Sequence, residues 1–274
     1  MTTSAKSSSP KTTIVVSNYN YKRYVGACLE SCAKQTNPCK VIIVDDCSTD
    51  SSWQVIKKTI DENPHFSAIR LNANSGGNAR GKNVGIFYAK TPYIMCLDSD
   101  DALVPKAIEK LEDSIEGVDI VHGKARRVET TVDTFKGMMA KKYQTWERYE
   151  KFENTPEDSI EWYKCMEAST ILVRRNVYEH VGLFNEDLKW KIDREMWYRA
   201  INEGHSRRFL DLHVSLYRGH PQQITRNPKR KKPLKIDEKF EQIIRSYGTK
   251  TDKRLSLDSY NPEPHVLKTI GAPL

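Results

Sequence analysis

Long hydrophobic runs are missing from this chain of 274 residues. None approaches the roughly 18 to 20 apolar residues that cross a bilayer, which excludes a spanning helix from the reading. The first eleven residues, MTTSAKSSSPK, lack an apolar centre. They read as a disordered leader rather than a signal peptide. Cysteine is scarce: six residues, at 28, 32, 39, 47, 96 and 165, with no C-x-x-C pair. That pattern argues against the usual zinc and dithiol signatures and for reduced, structural thiols in a cytosol. No internal repeat is evident, so a solenoid is excluded.

A globular composition remains. At 38% hydrophobic and 29% charged residues, a real core is possible. The net charge of +8 is uneven. Residues 226–274 hold 12 Lys/Arg against 6 Asp/Glu, leaving only +2 for the other 225 residues. The excess is densest in RNPKRKKPLK (226–235), where Pro228 and Pro233 oppose a continuous helix. Three readings fit this strip: a solvated linker, a contact with an anionic membrane surface, or one with nucleic acid.

Strand and helix patterns alternate along the first hundred residues. TTIVVSNYN (12–20) is a short β-branched run that stops at a polar turn. YVGACLESCAKQ (24–35) has helical spacing. KVIIVDDCSTDSS (40–52) opens with a continuous apolar run suited to a strand buried on both faces. SWQVIKKTIDEN reads as a helix, and FSAIRLN as a strand. NSGGNARGKNVGIFYAK (74–90) is a glycine-rich loop entering a helix, and YIMCLD is a fourth strand. This order predicts an α/β fold with a mostly parallel sheet.

The last of these strands runs into Asp98, Asp100 and Asp101 around one serine. Aspartates in turns often just bond nearby backbone N–H groups. The alternative is a hard cation, since Mg²⁺ typically takes one or two carboxylates plus phosphate and water. Ligands of open α/β sheets bind beyond the carboxyl ends of strands. Three polar clusters lie at such ends: Ser17-Asn18-Tyr19, Asp45-Asp46 and Asp98 to Asp101. Their coincidence favours the binding reading.

These stretches, in this order, resemble the inverting family-2 glycosyltransferases with the GT-A fold. VVSNYN resembles the opening strand and nucleotide loop. VIIVDDCSTD is similar to the family's V-D-D-x-S-x-D stretch, NSGGNARGKNVG to its N-x-G loop, and CLDSDD to its D-x-D motif. DREMWYRA (193–200) resembles the block around the catalytic base, and YRGHPQQIT (217–225) the Y-R-x-H segment. The resemblance covers roughly residues 12–225. Two positions depart: Lys82 stands where arginine is common, and Ile192 where an acid commonly precedes the base.

The resemblance implies roles for individual residues. Tyr19 would pack on a nucleobase, with Ser17 beside it. Asp46 would accept from the base, with Asp45 structural or on the ribose. Gly76 would let the loop approach the donor, and Lys82 would meet its phosphates, with Arg80 a weaker candidate. Asp100 is the expected ligand for Mn²⁺ or Mg²⁺. Asp98 would sit nearer the ribose or complete the metal's shell, and His220 would add a ligand. Asp193 is the expected general base, with Glu195 as its rival. Trp197 reads as core.

The expected organisation is a leader (1–11), a GT-A domain (12–225) and a basic C-terminal extension (226–274). Residues 12–105 would form the nucleotide-sugar half and 106–225 the acceptor half. The expected activity is metal-dependent, inverting transfer from a nucleotide-sugar, a UDP-sugar first, to a hydroxyl of a glycan or other acceptor. The expected location is cytoplasmic or membrane-peripheral. Acceptor choice would lie in residues 124–190, which include the aromatic YQTWERYEKF (143–152) and Trp190. Alternatives are a glycosyltransferase acting on hydroxylated DNA bases, a nucleotidyltransferase, and a non-enzymatic binder of nucleic acid or anionic surfaces.

Overall fold

A computed structural model describes residues 9–145, 163–164, 166–188, 191–223, 242 and 255–274. Residues 226–235, most of the aromatic 143–152 stretch, Cys165, Trp190 and the leader up to residue 8 lie outside the described residues.

The first half is a run of strand–helix units: β1 (Thr12–Asn18), α1 (Val25–Ala33), β2 (Cys39–Asp45), α2 (Ser52–Asp61), β3 (Phe66–Leu71), α3 (Ala79–Tyr88) and β4 (Tyr93–Asp98). The second half holds β5 (Ala102–Leu103), α4 (Ala107–Ser114), β6 (Ile120–Glu129), α5 (Phe135–Met139), β7 (Gln144–Thr145), β8 (Ile171–Arg174), α6 (Arg175–Val181), α7 (Ile192–Asn202), β9 (Arg207–Gly219) and β10 (Val266–Gly271). All ten described strands join one sheet in the order β10-β3-β2-β1-β4-β8-β6-β9-β5, with β7 beside β6. Strands β3, β2, β1 and β4 are parallel. Beyond β4 the sheet is mixed: β8 runs antiparallel to β4 and β6, and β9 parallel to β6.

Period-2 alternation divides the core between two faces. In β1, Ile14 and Val16 pack with α1, α2 and α4, while Val15 packs with α3, α6 and α7. Every residue of β1 is buried, which explains its unbroken apolar character. Helix α3 lies close against β1 because Gly85 faces Val15: a Cβ at Gly85 would overlap that side chain. The helix therefore needs glycine at this point of contact.

The C-terminal residues rejoin the sheet. β10 pairs antiparallel with β3, the edge of the parallel set. Leu257 and Tyr260 are buried in the core beside α3 and α6. Compositional grouping of residues 226–274 into one basic extension therefore does not hold for 255–274. The five described cysteines are all unpaired. No described helix is long and apolar enough to cross a membrane.

Candidate active site

Parallel register builds the rim. At the carboxyl end of β1, Asn18 lies opposite Asp45 and Ser17 opposite Asp98. The three polar clusters expected to converge are therefore neighbours across one sheet edge.

The two aspartates after β2 do different things. Asp45 is fully buried. It accepts from Asn18 Nδ2 at 2.8 Å, Ser48 N at 3.1 Å and Ser48 Oγ at 2.6 Å, and Arg70 Nε stands 3.7 Å away. Its oxygens are spent on its own turn, so of its two expected roles the structural one fits. Asp46 clamps the glycine-rich loop instead. It accepts from Ser75 N at 3.0 Å, Ser75 Oγ at 2.9 Å and Asn74 Nδ2 at 2.9 Å. Burial raises its pKa above the usual carboxylate range, against the lowering effect of the Ser75 bonds and Arg80. Among the described residues, Oδ1 accepts from the Ser75 N–H, while Oδ2 takes the Ser75 Oγ and Asn74 bonds. Gly76 has φ 75°, the left-handed turn that glycine allows; Gly77 does not. Tyr19, 41% exposed, stands at the rim as an open ring.

Asp98, Asp100 and Asp101 turn to three different partners. Asp98 pairs with Lys82 Nζ at 3.0 Å and accepts from Asn78 Nδ2 at 3.3 Å. Asp100 Oδ2 lies 3.1 Å from His220 Nε2. Asp101 accepts from Arg218 N at 2.9 Å and is sealed in, its pKa pushed well up by burial and then by Asp100 and Asp98. Strand β9 delivers His220: β5, just after the aspartates, pairs with Ser215 and Leu216 of β9.

Two residues of this corner were not singled out from sequence. Arg218 donates from Nε to the Asp100 carbonyl at 2.7 Å and from its other nitrogens to Val132 O and Met138 Sδ. Its guanidinium lies 4.6 Å over the Tyr24 ring. Tyr21 meets His220 edge-on at 5.5 Å, and its hydroxyl is driven far above its usual pKa by burial and then by Asp100, Asp98 and Asp101. The available signals were position alone: Arg218 within Y-R-x-H, and Tyr21 two residues past Tyr19.

Lys82 is 1% exposed and sits one turn inside α3, not as a free cation at its start. Burial works against its ammonium, yet Asp98, Cys96 and Asp193 together hold its pKa above the ordinary value. Half-buried Asp193, in the first turn of α7, is near enough to contribute to that field. In this structure its ammonium pairs with Asp98 and braces that carboxylate. Arg80 pairs with Glu186 at 2.8 Å. Glu195 is not available as the rival base. It is fully buried and bound by Arg199 Nε and Nη2, each at 3.0 Å. Arg199 also holds the carbonyls of Val181 and Leu183. Trp197 is core, 1% exposed.

Several buried polar atoms of the rim have no hydrogen-bond partner among the described residues: Ser17 Oγ, Ser99 Oγ, Asn18 Oδ1 and His220 Nδ1. No group of three or more His, Cys, Asp or Glu is gathered as a metal cage among the described residues. A two-ligand set, Asp100 and His220, is what this corner offers. That number fits a Mg²⁺ or Mn²⁺ ion that keeps phosphate oxygens and water in its shell.

Comparison with known proteins bears on this geometry. A family model described as glycosyl transferase family 2 matches residues 13–182. Poly(ribitol-phosphate) beta-N-acetylglucosaminyltransferase TarS of Staphylococcus aureus (strain Mu50) is 33% identical over 115 residues, 41% of this chain and 19% of that protein. The chain spans less than a fifth of the length of the first curated relatives it matches. The crystal structure of S. aureus TarS 1–349 in complex with UDP-GlcNAc aligns with TM-score 0.65 and 23% identity, covering 78% of this chain and 60% of that one. The mannosyltransferase PcManGT from Pyrobaculum calidifontis, in complex with GDP-Man and Mn²⁺, aligns with TM-score 0.60 and 16% identity, covering 77% of this chain and 57% of that one. At these identities the structural likeness establishes the fold, which is GT-A.

Proposed function

The chain belongs to glycosyl transferase family 2, and on that premise we propose that it moves a sugar, with inversion, from a nucleotide-sugar to an acceptor hydroxyl. The observation that carries this reading is the Asp100–His220 pair, 3.1 Å apart at the sheet rim. It stands with buried serine and asparagine oxygens that have no hydrogen-bond partner among the described residues. A UDP-sugar is the proposed donor, supported by the UDP-GlcNAc complex of a protein with this fold.

Asp46 and the Tyr19 ring would meet the base. Ser17 Oγ and Asp98 would meet the ribose, with Lys82 holding the Asp98 carboxylate. Asp100 and His220 would hold Mn²⁺ or Mg²⁺, which when bound neutralises the departing diphosphate. Asp193 takes the proton of the acceptor hydroxyl. The oxygen attacks the anomeric carbon as the bond to the diphosphate breaks on the opposite side, so the centre inverts. We place this activity in a cytosol, in keeping with the unpaired cysteines.

Family membership favours sugar transfer over nucleotidyl transfer or pure binding, and no described feature favours a DNA base as acceptor. The test is a panel of nucleotide-sugars with Mn²⁺ and no acceptor. Slow release of UDP from one donor is expected. No donor turnover with any member overturns the reading, as does release of pyrophosphate when the protein is given a nucleoside triphosphate and a sugar 1-phosphate instead.

A further inference from the structure

Among the described residues, Arg126 is a half-buried cation without an anionic partner. Its Nε is buried and has no hydrogen-bond partner, and among the described residues no carboxylate pairs with it. Its guanidinium lies 4.6 Å from the centre of the Tyr143 ring. The same ring meets His213 edge-on at 5.3 Å, and Tyr143 keeps 47% of its surface exposed. Thr145 Oγ1 lies 3.0 Å from His213 Nε2. Lys124 stands opposite His213 in the β6–β9 register. Lys141 and Lys142, both exposed, precede Tyr143. Among the described residues, the acid beside His213 is Asp211, which is paired with Lys124. The His213 imidazole is held below its usual range by burial and then by Arg126 and Lys124, with Asp211 opposing. The field that the described residues set up at His213 is therefore positive.

A partly desolvated guanidinium without an acceptor is costly. Its planar fork matches a phosphate or carboxylate. An open tyrosine face beside it suits the carbon face of a sugar or polyol. The place also matters. Arg126 pairs with Leu216, four residues before His220, and Thr130 N donates to Gly219 O at 3.0 Å. At about 3.3 Å per residue, this cluster lies roughly 13 Å along the strand from the reacting corner. An extended acceptor could reach both.

We propose that Arg126, Tyr143 and His213 form a subsite for an oxyanion carried by the acceptor chain, so that the acceptor is an anionic polymer. This rests on the transfer reading above.

The full chain is tested by NMR of the His213 imidazole, assigned with His213→Gln. Inorganic phosphate is expected to shift that signal saturably. Arg126→Gln is expected to weaken the response at least tenfold, as loss of a charge-assisted bond predicts; Arg126→Lys should restore part of it. A non-saturable response, or one within twofold of wild type in Arg126→Gln, overturns the subsite. Polyphosphate is then compared, with Lys229, Arg230, Lys231 and Lys232 changed to Gln to remove the other basic strip. Tighter binding than inorganic phosphate, again dependent on Arg126, supports a polymer-borne anion. Equal affinity for the two overturns that part and leaves a site for a free anion. Donor hydrolysis by the unaltered protein is measured in parallel. If it is absent while the Arg126-dependent phosphate response holds, the transfer reading fails and the anion site stands.

Discussion

The half proposed to bind the donor (12–105) and the half proposed to bind the acceptor (106–225) treat charge differently. In residues 12–105 nearly every buried ionic group has an intramolecular answer: Asp45 in its turn, Asp46 on Ser75, Asp98 on Lys82. The sheet there is parallel and its register unbroken. In the other half β6 and β9 slip register twice, and the buried Nε of Arg126 has no acceptor among the described residues. A nucleotide-sugar presents much the same shape to every such rim, so its cradle can be closed upon itself. Acceptors differ, and that side keeps exposed rings and unspent charge.

The comparison can be broken at its strongest point first. Asp100→Asn should abolish metal-supported turnover while leaving the fold intact, because it removes ligand charge at a strand end. EDTA should mimic it, and added Mn²⁺ should rescue only the unaltered chain. Turnover within about twofold of wild type would refute the metal role.

Asp193→Asn should lower kcat by about 10² to 10⁴-fold, the usual contribution of a general base. Donor affinity, measured by calorimetry, should stay within about twofold. A fall in affinity without a fall in kcat would move Asp193 to the binding site.

Glu195→Gln sharpens the contrast between a carboxylate that reacts and one that holds. It leaves the Arg199 guanidinium short of its partner in the core, a change that costs about 3–5 kcal/mol in comparable buried pairs. The urea midpoint should drop accordingly. A catalytic loss with unchanged stability would return Glu195 to the list of bases. Gly85→Ala should be milder, about 1–3 kcal/mol, because the added methyl meets Val15. Thermal melting would show it, with the residual activity of folded protein preserved.

The smallest effect is in pH. His122 is fully buried, and burial followed by Arg207 pushes its pKa down to about 3, from 6.5. Its folded pKa is depressed, so the neutral form is favoured in the native state. Stability from this group is complete above about pH 6.5 and declines as pH falls toward 3. His122→Phe should flatten that part of the urea-midpoint profile; an unchanged slope would show that other groups set it.

Much of the donor half is legible in sequence because its signals are local. A β-branched run ending in Ser17-Asn18, or a run ending in Asp98, declares both a strand and its functional end. The register then brings those ends together with no further choice. What is illegible is partnership across long separations. Nothing near Glu195 announces that Arg199 will bind it face-on rather than point outward, since an i, i+4 pair reads the same on a solvated helix. Lys82 looks like a phosphate ligand at a helix start because its pairing with Asp98 crosses from α3 to β4. Arg218 binds three separate segments, and no one of them marks it. The grouping of residues 255–274 with the basic stretch fails for a similar reason: composition averages over Leu257 and Tyr260, whose burial depends on α3 and α6.

The pairing of β10 with β3 bears on the order in which the molecule can assemble. A ribosome delivers β1 to β4 early, and four parallel strands with their helices have enough apolar surface to condense. Yet the outer edge of β3 stays unpaired until residues 266–271 emerge, nearly two hundred residues later. For that interval the nascent chain carries an open strand edge, the kind that recruits foreign strands. Synthesis rate and chaperone supply, rather than final stability alone, would then govern how much of this enzyme reaches its native form.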